Sequence, residues 1–254
     1  MLNEPPCVDE MFLDVYLLLY DMLNDDEEEL RDVAAVTASL LLSDPGSRRT
    51  QSLALHPMAA GFRMAEFLVE NYASSSRILR ETIRRLLGHP SGESNLVGVD
   101  MFISVSTLLF GHRKGSSVLF AEEKQNLFID DVREARIWAE VLSQLVVADA
   151  DIYLIQKVYS WTLDGLSSLT QMMQMEGTDG IFGRISHSEV FTIGIRVIQA
   201  TSVLLLRSGF GGQFFDRDTV RKGLEDMLEA GRKARMHERW LLLLESTLDS
   251  SGNG

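Results

Sequence analysis

Four arginines come closest in this sequence to a chemical constellation. Arg77, Arg80, Arg84 and Arg85 stand at spacings of three, four and one. Neighbours on one helical face are three or four residues apart, so Arg77, Arg80 and Arg84 line a single face, with Arg85 beside it. Guanidinium groups in such a row can hold successive phosphates of a nucleic-acid backbone. The same residues also serve a solvated or acid-paired helix surface. These four are the candidate phosphate-contacting residues, which on a nucleic-acid partner would be its backbone contacts. A second group, Arg232, Lys233 and Arg235, is similar but flanked by acids.

No other arrangement offers catalysis or ligation. The five histidines, His56, His89, His112, His187 and His237, occur singly, with no His-x-x-x-His pair. They read as surface or capping residues. Cys7 is the single cysteine, beside Pro5 and Pro6. That excludes a Cys-rich zinc site and an intramolecular disulfide. Gly177, Gly180 and Gly183 are regularly spaced, but no strand precedes them and no Lys-Ser/Thr follows, so a phosphate cradle lacks its frame. They read as a connection, with Ser186 and Glu189 forming a capping box for the next helix. Met172, Met173 and Met175 read as core packing. The acidic pairs Glu122-Glu123 and Asp130-Asp131 read as solvated surface. No catalytic, cofactor-binding or metal-ligating residue is assigned.

Charge narrows the classes further. The 254 residues carry 24 Lys or Arg against 37 Asp or Glu, a net charge of −13. A general polyanion binder needs the opposite balance. The acid is concentrated, however. Residues 1–32 hold eleven Asp or Glu and one Arg, while residues 48–91 hold seven Arg and three Glu. A locally basic segment therefore sits inside an acidic chain. No basic region followed by an apolar run opens the sequence, and the longest apolar stretch, Val15 to Tyr20, is too short to span a bilayer. The expectation is a soluble protein of the cytoplasm or nucleus, taken as cytoplasmic, without a membrane partner.

The elements that must position these residues are helical. Apolar residues recur at helical spacing almost everywhere, five prolines are few, and no segment alternates convincingly at period two. Segment 8–23 is apolar nearly all round, which predicts burial on every side. In 26–43, Leu30, Val33, Ala34, Thr37, Leu40 and Leu41 form one continuous face. Further helices are expected over 57–72, 76–87, 99–110, 118–147, 151–176, 186–207, 216–233 and 236–248. Pro57 is well placed as a first helical residue. About ten helices joined by short connections predict an all-α solenoid of antiparallel helix pairs, HEAT- or armadillo-like, over 1–248, with a disordered tail at 249–254.

One pair carries a signature. Leu17 to Leu42, LLLYDMLNDDEEELRDVAAVTASLLL, has the HEAT layout: a Leu-rich helix, an acidic turn, then a hydrophobic-Arg pair and small residues. The pair is Leu30-Arg31, and the small residues are Ala34-Ala35. Small side chains let two helices approach closely, and Arg31 can reach the acidic turn of its own or a neighbouring repeat.

Residues 117–147, SVLFAEEKQNLFIDDVREARIWAEVLSQLVV, together with the NDDEEELRDVAA block, resemble the C-terminal region of the THADA family. The matching features are Arg31, Leu119-Phe120, Glu122-Glu123, Asn126, Leu127, Phe128, Asp130 with Asp131, Glu134 and Trp138. These are very large HEAT/armadillo-type proteins that regulate an FtsJ-type tRNA 2′-O-methyltransferase. The resemblance implies a non-catalytic scaffold without a cofactor of its own. S-adenosylmethionine and the catalytic residues are expected on the partner enzyme, tRNA is expected as the second partner, and the ribose at the first position of the anticodon loop as the target. Upstream HEAT repeats are also expected, because the chain is a small fraction of a family member's length. The helix at 8–23 would then pack on such a repeat, and Leu13→Lys or Leu17→Lys would improve solubility. The acidic first segment departs from what an RNA-binding surface needs. The alternative is a HEAT-type protein–protein adaptor with no RNA role.

Overall fold

The computed structural model describes residues 10–42, 56–88, 105–106, 127–175, 187–206 and 215–251. Among these residues all regular structure is helical: α1 (Glu10–Leu23), α2 (Glu28–Leu41), α3 (Pro57–Tyr72), α4 (Ser76–Leu86), α5 (Leu127–Gln144), α6 (Ile152–Gln174), α7 (His187–Leu206), α8 (Arg217–Lys233) and α9 (Glu238–Ser251). A 3-10 turn, Asp149–Asp151, precedes α6. The all-α expectation is met, and α3 has the expected bounds. Of the helix expected over 99–110, only Val105 and Ser106 are described, and both are helical.

Most ends fall within two residues of expectation, and two C-terminal ends differ by three. The helix expected over 118–147 ends at Gln144. Just beyond it the chain turns, and the Val146 N–H donates to the Ala73 carbonyl at 2.7 Å instead of continuing the helical ladder. At the C-terminus, α9 runs to Ser251, past the expected limit of 248. The hydroxyls of Ser246, Thr247 and Ser250 bond back to carbonyls three or four residues earlier, so polar residues that suggested a tail are accommodated inside the helix.

The chain forms two compact units, residues 1–79 with 144–147, and residues 80–143 with 148–254. In the first unit α1, α2 and α3 each pack on the other two. Leu13, Leu17, Tyr20 and Leu23 of α1 are buried, at spacings of four, three and three. α2 contributes Ala34, Ala35 and Ala38, and α3 contributes Ala60, Met64, Leu68 and Tyr72. Each leucine taken fully out of water adds about 1.5–3 kcal/mol. Tyr16 and Phe67 meet with ring centroids 4.6 Å apart.

α1 is not buried on every side. Phe12, Val15 and Leu18 are exposed, whereas Leu13 is 0% and Leu17 8% exposed. The two leucines expected to need an outside partner are therefore covered by α2 and α3 of this chain. The substitutions Leu13→Lys and Leu17→Lys lose their rationale as solubilising changes, since each would bury an ammonium group. An all-round apolar helix predicts burial but does not say which side is left over.

The acidic turn between α1 and α2 is built as the signature implies. Asn24 donates its amide to the Tyr20 carbonyl at 2.7 Å, and the Asp25 carboxylate accepts from the Glu27 N–H at 2.9 Å. Arg31 reaches back to the carbonyls of Asp25 (2.6 Å) and Asp26 (2.9 Å). It holds main-chain oxygens of its own turn, not the carboxylates.

In the second unit α6 packs on α7 and α8, and α9 packs on the same two helices. α7 is buried continuously from Thr192 to Ile198. Trp138 and Trp240 are the largest wholly buried side chains. Trp240 rests on backbone that lacks side chains: a Cβ at Gly194 would lie 2.3 Å from its Nε1, and one at Gly231 2.9 Å from its Cζ3. Met172 and Met173 are core residues, as expected, whereas Met175, the C-cap of α6, is only half-buried.

Candidate functional site

The helix that carries the four arginines is opened by Ser75, whose hydroxyl accepts from the Arg77 N–H at 3.2 Å. It is closed by Gly88, whose φ of +79° is the left-handed conformation that ends many helices. The division between the two units falls after Leu79, so Arg77 belongs to the first and the other three to the second.

In the first unit Arg77 is exposed and pairs with Asp14 of α1. In the second, Arg80 is exposed, Arg84 is half-buried, and Arg85 is only 7% exposed. Arg84 and Arg85 both grip Glu81, Arg84 through Nε at 2.8 Å and Arg85 through Nε at 2.5 Å. The Arg85 guanidinium also lies 5.1 Å from the centre of the Trp138 ring, within cation–π range. The structure thus does not present the four as one exposed stripe. Arg85, expected beside the stripe, points into the core, where Glu81 and Trp138 compensate its charge.

Glu81 is the electrostatic centre of this cluster. Burial pushes its carboxyl up, but the hydrogen bond from Arg84 and the charges of Arg85 and Arg84 outweigh that and hold it below its ordinary value.

Arg196 was not singled out by any sequence pattern. This residue sits in the middle of α7 and is buried. Its guanidinium donates to the carbonyls of Arg85 (2.6 Å) and Leu86 (3.2 Å) at the end of α4, where the Arg85 oxygen also accepts from the Gly88 N–H at 3.1 Å. It also pairs with Glu134 of α5 at 3.1 Å. A Cβ at Gly88 would come within 2.9 Å of Arg196 Nε. One buried cation therefore ties the ends or flanks of α4, α5 and α7 together. The sequence held a signal, a lone Arg in the run IGIRVI where every neighbour is apolar or Gly. Likewise, Glu81 stands three and four residues before Arg84 and Arg85, the spacing of intrahelical ion pairs.

Of the family-signature residues, Arg31 closes the α1–α2 turn, Glu134 holds Arg196, and Trp138 lies under Arg85. Leu127, Phe128 and Asp130 fall in the first turn of α5, and Asn126 lies outside the described residues. Cys7, the Gly177–Gly183 run, Ser186, His89 and His112 also lie outside them. Two histidines cap helices as expected: His56 Nδ1 accepts from the Met58 N–H at 3.3 Å, and His237 Nδ1 from the Arg239 N–H at 3.2 Å. Among the described residues no group of three or more His, Cys, Asp or Glu is placed to hold a metal ion, and no helix is long and apolar enough to cross a membrane.

The second basic group has a different geometry. Arg232 and Lys233 end α8, Arg235 lies in the connection, and Arg239 opens α9; all four are exposed. Arg232 pairs with Glu245 at 2.6 Å and Lys233 with Glu229 at 2.6 Å.

No curated protein and no solved structure matches the chain. Residues 66–252 match the family model Trm732_C, described as the Trm72 ARM-like repeat region. The match covers α4 to α9 and the C-terminal part of α3, including Glu134, Trp138 and Arg196, and it supports a THADA-like C-terminal repeat region. With most of its length matched and all its described elements helical, this chain belongs to the Trm72 ARM-like repeat family.

Proposed function

We propose that this chain is a non-catalytic regulatory scaffold that supports 2′-O-ribose methylation in the tRNA anticodon loop by a separate FtsJ-type methyltransferase. The partner supplies S-adenosylmethionine and the catalytic residues; this chain supplies helical surface for the enzyme and for tRNA, in the cytoplasm. The observation that carries the reading is the family match over residues 66–252, whose Trm72 name supports a role in tRNA modification. The signature residues lend it structural sense. Arg31, Glu134 and Trp138 each hold helices in place rather than face a reactant, as befits a scaffold.

The exposed members of the arginine row, Arg77 and Arg80 with Arg84 at the edge, are the proposed contacts to tRNA phosphate. Exposed ion pairs such as Arg77 with Asp14 contribute roughly 0–1 kcal/mol and yield readily to a phosphate. Arg85 serves the core instead.

The adaptor reading keeps one observation in its favour. Val33, Val36 and Leu40 lie at spacings of three and four on the outward face of α2, and all three are exposed. Such a face suits protein contact.

Reconstitution separates the readings. A purified FtsJ-type methyltransferase is assayed on transcribed tRNA, with labelled methyl donor, with and without this chain. Stimulated methylation with the chain, and none by the chain alone, is the expected result. Methyl transfer by the chain alone overturns the scaffold assignment. No stimulation together with no tRNA binding leaves the adaptor.

A further inference from the structure

The connection between α8 and α9 gathers Arg232, Lys233, Arg235 and Arg239 into eight residues, RKARMHER, with Glu238 as the one acid among them. In a chain of net charge −13 that concentration calls for a cause. Part of it is local. Cations at the end of α8 suit the helix dipole, and Arg232 and Lys233 each have a carboxylate partner. Arg239 is not explained by the dipole, since it opens α9, where a cation is disfavoured.

The backbone at Arg235 adds a second, independent observation. α8 closes with the Met236 N–H on the Gly231 carbonyl at 2.9 Å, the long bond of a Schellman motif. That closure requires a left-handed residue just before Met236. Arg235 takes it, with φ 53°, and is the only non-glycine residue with positive φ among those described. Glycine fills this position most readily, because a Cβ there is strained. A strained conformation kept at a surface turn, by a residue whose packing contributes nothing to the core, points to its side chain having a use.

We propose that the α8–α9 turn is a binding site for the phosphodiester backbone of RNA, with Arg232, Lys233, Arg235 and Arg239 holding its phosphates. The proposal rests on the RNA-handling reading above and deepens it by naming the binding surface in the second unit. His237, held edge-on to Phe191 with centroids 6.1 Å apart and capping α9, fixes the far side of the turn. The pairs with Glu229 and Glu245 are largely exposed, the kind that solvent already weakens and a phosphate can displace.

The test uses the full 254-residue chain and a transcribed tRNA, with affinity measured across a range of salt. The variant is Arg232→Gln, Lys233→Gln, Arg235→Gly and Arg239→Gln together. It is expected to bind at least about tenfold more weakly near 0.1 M salt, with the slope of log affinity against log salt smaller by roughly 2 to 3, at about 0.7–0.9 for each phosphate no longer neutralised. The single change Arg235→Gly relieves the backbone and is expected to raise Tm while weakening RNA binding, which rules out misfolding as the cause. An unchanged affinity and slope in the fourfold variant, with the wild type binding tRNA, overturns this site alone. A wild type that does not bind tRNA, alone or with the methyltransferase, overturns the underlying reading too. A fourfold variant that keeps tRNA affinity but no longer co-purifies with the methyltransferase makes the turn a protein-binding surface, and overturns the proposal.

Discussion

Arg196 and Arg85 meet through the main chain, the buried guanidinium of the first donating at 2.6 Å to the carbonyl of the second. The bond caps α4 from outside, with a side chain 111 residues further along the sequence. With the Leu86 carbonyl and Glu134 also bound to its guanidinium, Arg196 holds groups of both α4 and α5. Arg196→Met is expected to lower stability by about 3 kcal/mol, since hydrogen bonds to a charged group contribute about 1.5–3 kcal/mol each and are not additive. Urea unfolding followed by circular dichroism measures this. A midpoint shift near zero would show that Arg196 holds nothing together.

Glu81 makes stability depend on pH. Its folded-state carboxyl lies below its ordinary value, so it contributes stability above the unfolded value near 4.5, and loses it as pH falls through the lower folded value. The midpoint temperature of the wild type should fall over that acidic window, and Glu81→Gln should flatten the fall while lowering Tm at neutral pH. Parallel pH profiles for the two proteins would assign the acid dependence elsewhere.

The first unit offers a contrast between buried and exposed leucines. Leu17→Lys is expected to destabilise by about 2–5 kcal/mol, because it removes core packing and buries a charge. Leu40→Lys, at a residue 73% exposed, should stay within about 0.5 kcal/mol of the wild type. Chemical denaturation of both variants decides. Equal effects would mean that the first unit is not packed as described.

Gly194 makes a steric prediction in the second unit. An alanine there puts a methyl group 2.3 Å from the Trp240 ring nitrogen. The ring is wholly buried and rests on Gly231 as well, so Gly194→Ala should cost about 1–3 kcal/mol. Trp240 fluorescence should report the displacement. An unchanged emission maximum and stability would show that the helices can spread at this point.

Much of the fold was legible because helix formation is local. Pro57 at a first turn, Ser75 before a helix and the Leu30-Arg31 pair after an acidic turn act within a few residues of themselves. What stayed hidden depended on partners distant in sequence. The end of α5 is decided by Ala73, which no periodicity in 118–147 can reveal. Arg85 shares a helix surface with Arg84 on paper, but the Trp138 ring, far along the sequence, decides that it turns inward. Leu13 and Leu18 are equally apolar; only the positions of α2 and α3 separate the covered one from the bare one.

The alanine face of α2 has a consequence for how the first unit tolerates change. Ala34, Ala35 and Ala38 have no rotamers to freeze, so burying them incurs no loss of side-chain freedom. By the same fact they have no conformational slack. A leucine core can absorb a neighbour's substitution by swinging to another well, whereas a seam of methyl groups can respond only by moving whole helices apart. Sequence drift in α2 should therefore be one-sided, free along Val33, Val36 and Leu40 and nearly frozen in size along the alanines.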